Sequence, residues 1–205
     1  MTTPVTLVDY GVGNIASVTR ALRRLGAEVH LTADPQHVAP ATRIVLPGVG
    51  AFGPARKQLA ETGLDAAIQE AVRNGSRLLG LCLGFQLLFD ESEEHGRTPG
   101  LGVVRGRIVP FSGNVRIPHV GWNALDVTRE EGLLSGVPSG TYVYFVHSYR
   151  PEGVDPQDVA ATSEYGGTFP AAIQCGNVWG CQFHPEKSSD AGRKLLLNFL
   201  APEPV

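Results

Sequence analysis

The chain has little of what marks a secreted, membrane-spanning or nucleic-acid-binding protein. Its 205 residues include only three cysteines, an odd number without a small-domain framework, which argues for a reducing compartment. Neither C-x-x-C nor H-E-x-x-H spacing occurs among the three Cys and six His, so no metal site and no cofactor are expected. No apolar stretch approaches membrane length, and a strand begins almost at once, leaving no room for a basic and apolar leader. Seventeen Lys and Arg stand against twenty Asp and Glu, a net charge of −3, and the signs are mixed rather than blocked. That leaves no basic footprint for nucleic acid. Nothing repeats. What remains is a cytoplasmic chain able to bury a substantial core as one domain over residues 1–200, with a short proline-rich tail at 201–205.

The hydrophobic pattern predicts strands at 5–9, 28–32, 43–46 and 78–81, alternating with helices at 14–25 and 54–73. Such alternation implies an α/β fold with a mostly parallel, doubly wound central sheet flanked by helices. After Gly100 the pattern changes to short strands and turns, at 103–109, 123–127, 142–148, 159–163, 171–175 and 178–183. These read as additional antiparallel strands in the second half. A last helix at 190–200 carries an apolar stripe for one face of the sheet.

The chemistry concentrates at two places. Gly80-Leu81-Cys82-Leu83-Gly84 puts a cysteine between two glycines where a buried strand stops and the helix-compatible 85–89 begins, the thiol counterpart of a G-x-S-x-G nucleophile elbow. A helix N-terminus there favours the thiolate. The competing reading is a buried core cysteine. About a hundred residues on, Gln182-Phe183 runs into His184-Pro185-Glu186, where proline forces the chain out of a strand and leaves a base and a carboxylate at its end. Cys82, His184 and Glu186 supply a nucleophile, a base and an orienting group, unless His184 and Glu186 belong to an ordinary surface loop. Cys175 and Cys181 flank a Gly176-Asn177 turn and read as packing residues.

Two glycine-rich loops admit a different function. Gly11-Val12-Gly13-Asn14-Ile15-Ala16 comes close to the dinucleotide fingerprint and Gly48-Val49-Gly50-Ala51-Phe52-Gly53 matches it outright, and Glu28 or Asp34 could meet a ribose downstream of the first. Against it, Asp9 and Tyr10 crowd the first turn and Pro47 enters the second. Plain structural turns are the third possibility.

Taken together, the elbow with Gln86 four residues after Cys82, the run Gln182 to Glu186 and Pro47-Gly48-Val49-Gly50 resemble the class I, triad-type glutamine amidotransferases. Residues 9–14, 118–123 and 144–149, with Lys187-Ser188, are similar to the glutaminase subunits of imidazole glycerol phosphate synthases. The likeness runs over roughly residues 5–200. It implies hydrolysis of L-glutamine to glutamate and ammonia through a Cys82 thioester, with an oxyanion hole from Val49, Gly50 and Leu83. The chemistry supports that hole, since only backbone N–H groups can face a tetrahedral oxyanion without a bulky side chain in the way. The resemblance further places the substrate's amino-acid end against Gly50, Gln86, Glu94, Ser148 and Tyr149, although Glu91 and Glu93 are near enough to exchange roles with Glu94. It implies a 1:1 heterodimer with a separate (β/α)₈-barrel cyclase, and Asn14, His119, Trp122, Asn123, Tyr144 and Lys187 match positions at that junction. Core packing for the two aromatics and a solvated charge for Lys187 are the plainer alternatives. A glutaminase of another pathway, such as pyridoxal phosphate synthesis, or a stand-alone cysteine hydrolase shares the elbow.

Overall fold

The computed structural model describes residues 2–202. Four parallel strands come first: β1 (Thr3–Val8), β2 (Ala27–Thr32), β3 (Arg43–Leu46) and β4 (Arg77–Leu81). Helix α1 (Ile15–Arg24) crosses from β1 to β2, and the short α2 (Pro35–Val38) precedes β3. Between β3 and β4 the expected single helix over 54–73 is two, α3 (Phe52–Thr62) and α4 (Leu64–Arg73). Gly63 separates them at φ +72, a left-handed conformation that ends one helix and re-aims the next.

Behind β4 comes a single helical turn, α5 (Leu83–Gln86), shorter than the run 85–89 promised. The second half then supplies β5 (Glu91–Ser92), β6 (Thr98–Pro99), β7 (Arg107–Pro110), β8 (His119–Ala124), β9 (Asp126–Val127), β10 (Tyr142–His147), β11 (Tyr149–Glu152), β12 (Val159–Glu164), β13 (Thr168–Cys175) and β14 (Val178–Cys181), closed by α6 (Ser189–Leu200). The strand expected at 103–109 starts only at Arg107, because the N–H groups of Val103 and Val104 both turn back to the Leu88 carbonyl. The one expected at 123–127 begins earlier, at His119, since Pro118 and Gly121 disguise it as a turn.

One eight-stranded sheet has the order β2-β1-β3-β4-β14-β13-β12-β9. Its first five strands are mutually parallel and the remaining pairings antiparallel. Every residue of β4 is buried, as a strand covered on both faces must be. Alternate residues divide between two cores. Leu7, Val45 and Leu79 pack with Val18, Leu195 and Phe199 beneath α1 and α6, while Ile44, Leu46 and Leu78 pack with Leu59 and Ile68 beneath α3 and α4. A four-stranded sheet (β11-β7-β5-β6) and the two-stranded ribbon β8–β10 complete the fold.

The expected tail is anchored where it begins. Arg43 and Arg77 both donate to the Ala201 carbonyl, and Arg77 also to that of Phe199, so two guanidinium groups cap the C-terminus of α6. Residues 203–205 of that tail lie outside the described residues.

Candidate functional site

The two chemical loci of the sequence meet because β4 and β14 are parallel neighbours in register, with Leu81 opposite Cys181. Their C-terminal ends therefore release Cys82 and Gln182 side by side, at the edge where α/β sheets bind ligands. The Cys82 N–H still donates to the Cys181 carbonyl at 2.9 Å, and there the backbone breaks away at φ +53 and ψ −106. A non-glycine residue in that region is strained. The flanking glycines are steric necessities. A Cβ on Gly84 would enter the Leu46 carbonyl, and one on Gly80 would lie 2.8 Å from the Gly84 oxygen and the Phe85 Cα. One helical turn follows, so dipole support for a thiolate is confined to α5.

His184 leaves β14 just before the turn Pro185–Lys187. Its Nδ1 is 3.0 Å from Glu186 Oε1, and it lines the same cleft as Cys82, whose thiol lies 3.7 Å from the Val146 carbonyl oxygen. Burial by itself would lower the imidazole pKa; hydrogen bonds and charge from Cys82 and Glu186 outweigh burial and raise it to about 9. The His184 carbonyl accepts from Ser188 Oγ at 2.7 Å, and Ser188 Oγ accepts from the Tyr144 N–H at 3.0 Å. This brace ties the histidine to β10, and Ser188 had no assigned role in the sequence reading.

A cleft of about 290 Å³ opens over the thiol, lined by Val49, Gly50, Cys82, Leu83, Gln86 and Glu94 on one side and Pro118, Val146, His147, Ser148, Tyr149 and His184 on the other. All of the residues expected at the thioester, oxyanion and substrate positions thus come together, except that Glu186 stands behind His184. The three neighbouring acids separate cleanly. Glu94 lines the cleft and accepts the Phe52 N–H at 2.6 Å, whereas Glu93 pairs with Arg107 and Glu91 with Arg97.

The oxyanion donors are not deployed as expected. The Leu83 N–H donates to the Gly48 carbonyl at 3.3 Å. Because the Gly48–Val49 peptide is trans and planar, its own N–H points the opposite way.

Gln182, buried beside the thiol, also had no assigned role in the sequence reading. Its side chain is fully buried, with Nε2 3.9 Å from Cys82 Sγ and Oε1 accepting from Gln86 Nε2 at 2.9 Å. Its signal was available: it sits one residue past the strand that parallels the nucleophile strand.

The junction residues divide. Trp122 is half exposed, with its ring 5.9 Å from that of Tyr144, and Lys187 Nζ lies 5.6 Å from the Tyr144 ring. Trp122 and Tyr144, with Val120, Tyr142 and Val146, form the outward face of the β8–β10 ribbon, where Trp122 opposes Tyr144 and Val120 opposes Val146. Asn14 stands at the N-terminus of α1, and Asn123 Nδ2 donates to the Glu164 carbonyl. His119 is a correction: on the inward face of β8 it is buried and stacked against Tyr165, at 3.9 Å between ring centroids.

The dinucleotide reading fails on geometry. Tyr10 is buried with its hydroxyl donating to the Pro47 carbonyl at 2.7 Å, joining the two glycine loops where a pyrophosphate would lie. Asp34 is spent capping α2 through the Gln36 N–H. Among the described residues no group of three or more potential ligands could hold a metal ion, and no helix is long and apolar enough to cross a membrane.

The family model for class I glutamine amidotransferases matches residues 6–202. Imidazole glycerol phosphate synthase subunit HisH of Geobacillus kaustophilus is 50% identical over 200 residues, covering 95% of this chain and 94% of that protein. The HisH subunit of Symbiobacterium thermophilum is 45% identical over 195 residues, covering 95% and 92%. Among solved structures, PurLQS from Thermotoga maritima shares the fold at a TM-score of 0.77 and 20% identity, covering 98% of each chain. With a nucleophile elbow, a His–Glu pair and near-full-length identity of this order, the chain belongs to the class I glutamine amidotransferase family, in the branch of the imidazole glycerol phosphate synthase HisH subunits.

Proposed function

We propose that Cys82, His184 and Glu186 hydrolyse L-glutamine, and that the ammonia passes to a separate barrel-type cyclase in a 1:1 complex that makes imidazole glycerol phosphate for histidine biosynthesis. The observation that carries the assignment is that Cys82 and the hydrogen-bonded pair His184–Glu186 come together at one cleft, with Cys82 and His184 lining it. Cys82 attacks the side-chain carboxamide carbon. His184, which bridges thiol and carboxylate, moves a proton to the leaving nitrogen, and ammonia departs. It then activates the water that cleaves the thioester and releases glutamate. Glu186 holds the imidazole and stabilises its cation. Glu94 and Gln86 face the amino-acid end of the substrate, beside the Ser148 and Tyr149 backbone.

Ammonia freed into water becomes largely ammonium, so a glutaminase that serves a synthesis must deliver it within a complex. The apolar outward face of the β8–β10 ribbon, with Trp122 at its centre, suits the docking of the cyclase. Cys82→Ala should abolish glutamine hydrolysis by the complex while leaving ammonia-dependent synthesis intact, with Cys175→Ala and Cys181→Ala as active controls. Glutaminase activity surviving in the Cys82 variant would sink this mechanism.

A further inference from the structure

One histidine in the wall of the cleft, His147, and a second behind it, His119, have no part in the glutaminase mechanism. His147, on the inward face of β10, has Nδ1 2.8 Å from the Tyr149 carbonyl oxygen and Nε2 3.0 Å from Nδ1 of His119. A carbonyl only accepts, so His147 Nδ1 carries the proton; in a neutral ring its Nε2 must then accept, and His119 Nδ1 donates. Burial pushes the His147 pKa down to about 3, which keeps the ring neutral. His119 is held between the rings of Tyr165 and Phe145, at 3.9 and 5.0 Å.

The same Tyr149 carbonyl receives a second bond, from Gln86 Nε2 at 3.2 Å. The other hydrogen of that amide goes to Gln182 Oε1, and Gln182 Nε2 reaches Cys82 Sγ. Both lone pairs of the carbonyl and both amide hydrogens of Gln86 are thereby committed, and Oε1 is the polar atom Gln86 has left for the cleft. Two arms of donors converge on the Tyr149 carbonyl, one from His119 through His147 and the other from Gln86, and Gln86 donates in turn to Gln182, which reaches the thiol. Two imidazoles cost desolvation that an apolar pair of the same volume would not, so their presence calls for the bond that only they make.

From this arrangement we infer that His147, fixed in its tautomer by His119, is a positioning residue: it anchors the Tyr149 carbonyl so that Gln86 turns its amide oxygen toward the glutamine α-ammonium group. The inference rests on the glutaminase reading of the cleft. Its test uses the complex with the cyclase and compares two substitutions of similar size. In His147→Asn the amide nitrogen takes the place of Nδ1 and keeps the bond to Tyr149. In His147→Gln the amide reaches the place of Nε2 and keeps only the contact with His119. The KM for glutamine should rise about tenfold in the Gln variant with kcat changed less, and should stay within about threefold of wild type in the Asn variant. Equal impairment of both, or a loss confined to kcat or to thermal stability, would overturn the inference. Nitrogen NMR of His147 in the unmodified complex gives a readout free of catalysis: an Nδ1-protonated neutral ring is expected, and an Nε2-protonated one refutes the positioning role even if glutamine proves not to be the substrate. A wild-type complex that leaves glutamine intact would instead remove the glutaminase reading, with the tautomer still deciding the relay.

Discussion

The Leu83 N–H, next to the nucleophile, is bonded to the Gly48 carbonyl at 3.3 Å. This places an oxygen where a developing oxyanion would need a donor, and it turns the Val49 N–H away. The isolated chain is therefore expected to be nearly silent as a glutaminase. Rotation of one peptide, eased by Gly48 and Gly50, with Gly50 already at φ +105, would replace that oxygen with an N–H. Adding the cyclase and its nucleotide ligand should raise glutamine turnover by at least about a hundredfold, the worth of one oxyanion donor. Val49→Pro removes that N–H and should suppress most of the rise even where the complex still assembles. An isolated chain already turning over at the rate of the complex would refute this gating.

A second expectation concerns His184 and Glu186. His184→Ala should approach the Cys82 variant in severity, because residues that act as one unit lose activity non-additively. Glu186→Gln should cost less, since the retained Oε1 can still face Nδ1, and the carboxylate's other oxygen has no hydrogen-bond partner to lose. The reverse order in kinetics would make Glu186 the base.

The raised His184 pKa also sets a pH dependence with a definite sign. Its folded value, about 9, lies above the unfolded one near 6.5. The stabilisation is therefore complete below about pH 6.5 and fades as pH rises through about 9. Urea unfolding of wild type and His184→Ala between pH 6 and 10 should show the wild-type advantage shrinking toward the alkaline end. The kcat/KM of the complex should fall in the same range, as the leaving nitrogen loses its acid. An advantage that grew with pH would show that the imidazole is held neutral.

Trp122 should behave as an anchor for the partner. Trp122→Ala is expected to weaken association with the cyclase about thirtyfold or more, measured by titration calorimetry, while the unfolding transition of the isolated chain moves little, because the ring is half exposed. A large loss of stability with unchanged affinity would return Trp122 to the core.

Much of this was legible beforehand where one residue type has one physical use. Gly80 and Gly84 around a cysteine announce an elbow because nothing larger fits, and β3 follows its apolar run residue for residue. Other features depend on partners distant in sequence. Whether 54–73 is one helix or two turned on Gly63 adopting a left-handed backbone, and β8 was hidden because Pro118 and Gly121 read as turns until β10 is laid beside them. His119 could not be assigned a face before its strand was known, and the inward face of β8 removed it from the surface expected for it. The oxyanion loop was identified as to residues but not as to state, since the direction of a peptide plane leaves no trace in composition.

The pairing of Leu81 with Cys181 has a consequence of its own. Cys82 and His184 are held together by a row of backbone bonds between two buried strands, so the distance between nucleophile and base is an alignment of the sheet, insensitive to the hundred residues that separate them in the chain. The intervening segments are thereby released to diverge in length and shape, and with them the choice of synthase that receives the ammonia. A slip of β14 by a single residue would instead turn every side chain of that strand to the opposite core, so nucleophile and base have no partly aligned form: a folded chain holds the two together, and only the oxyanion loop is left to be switched.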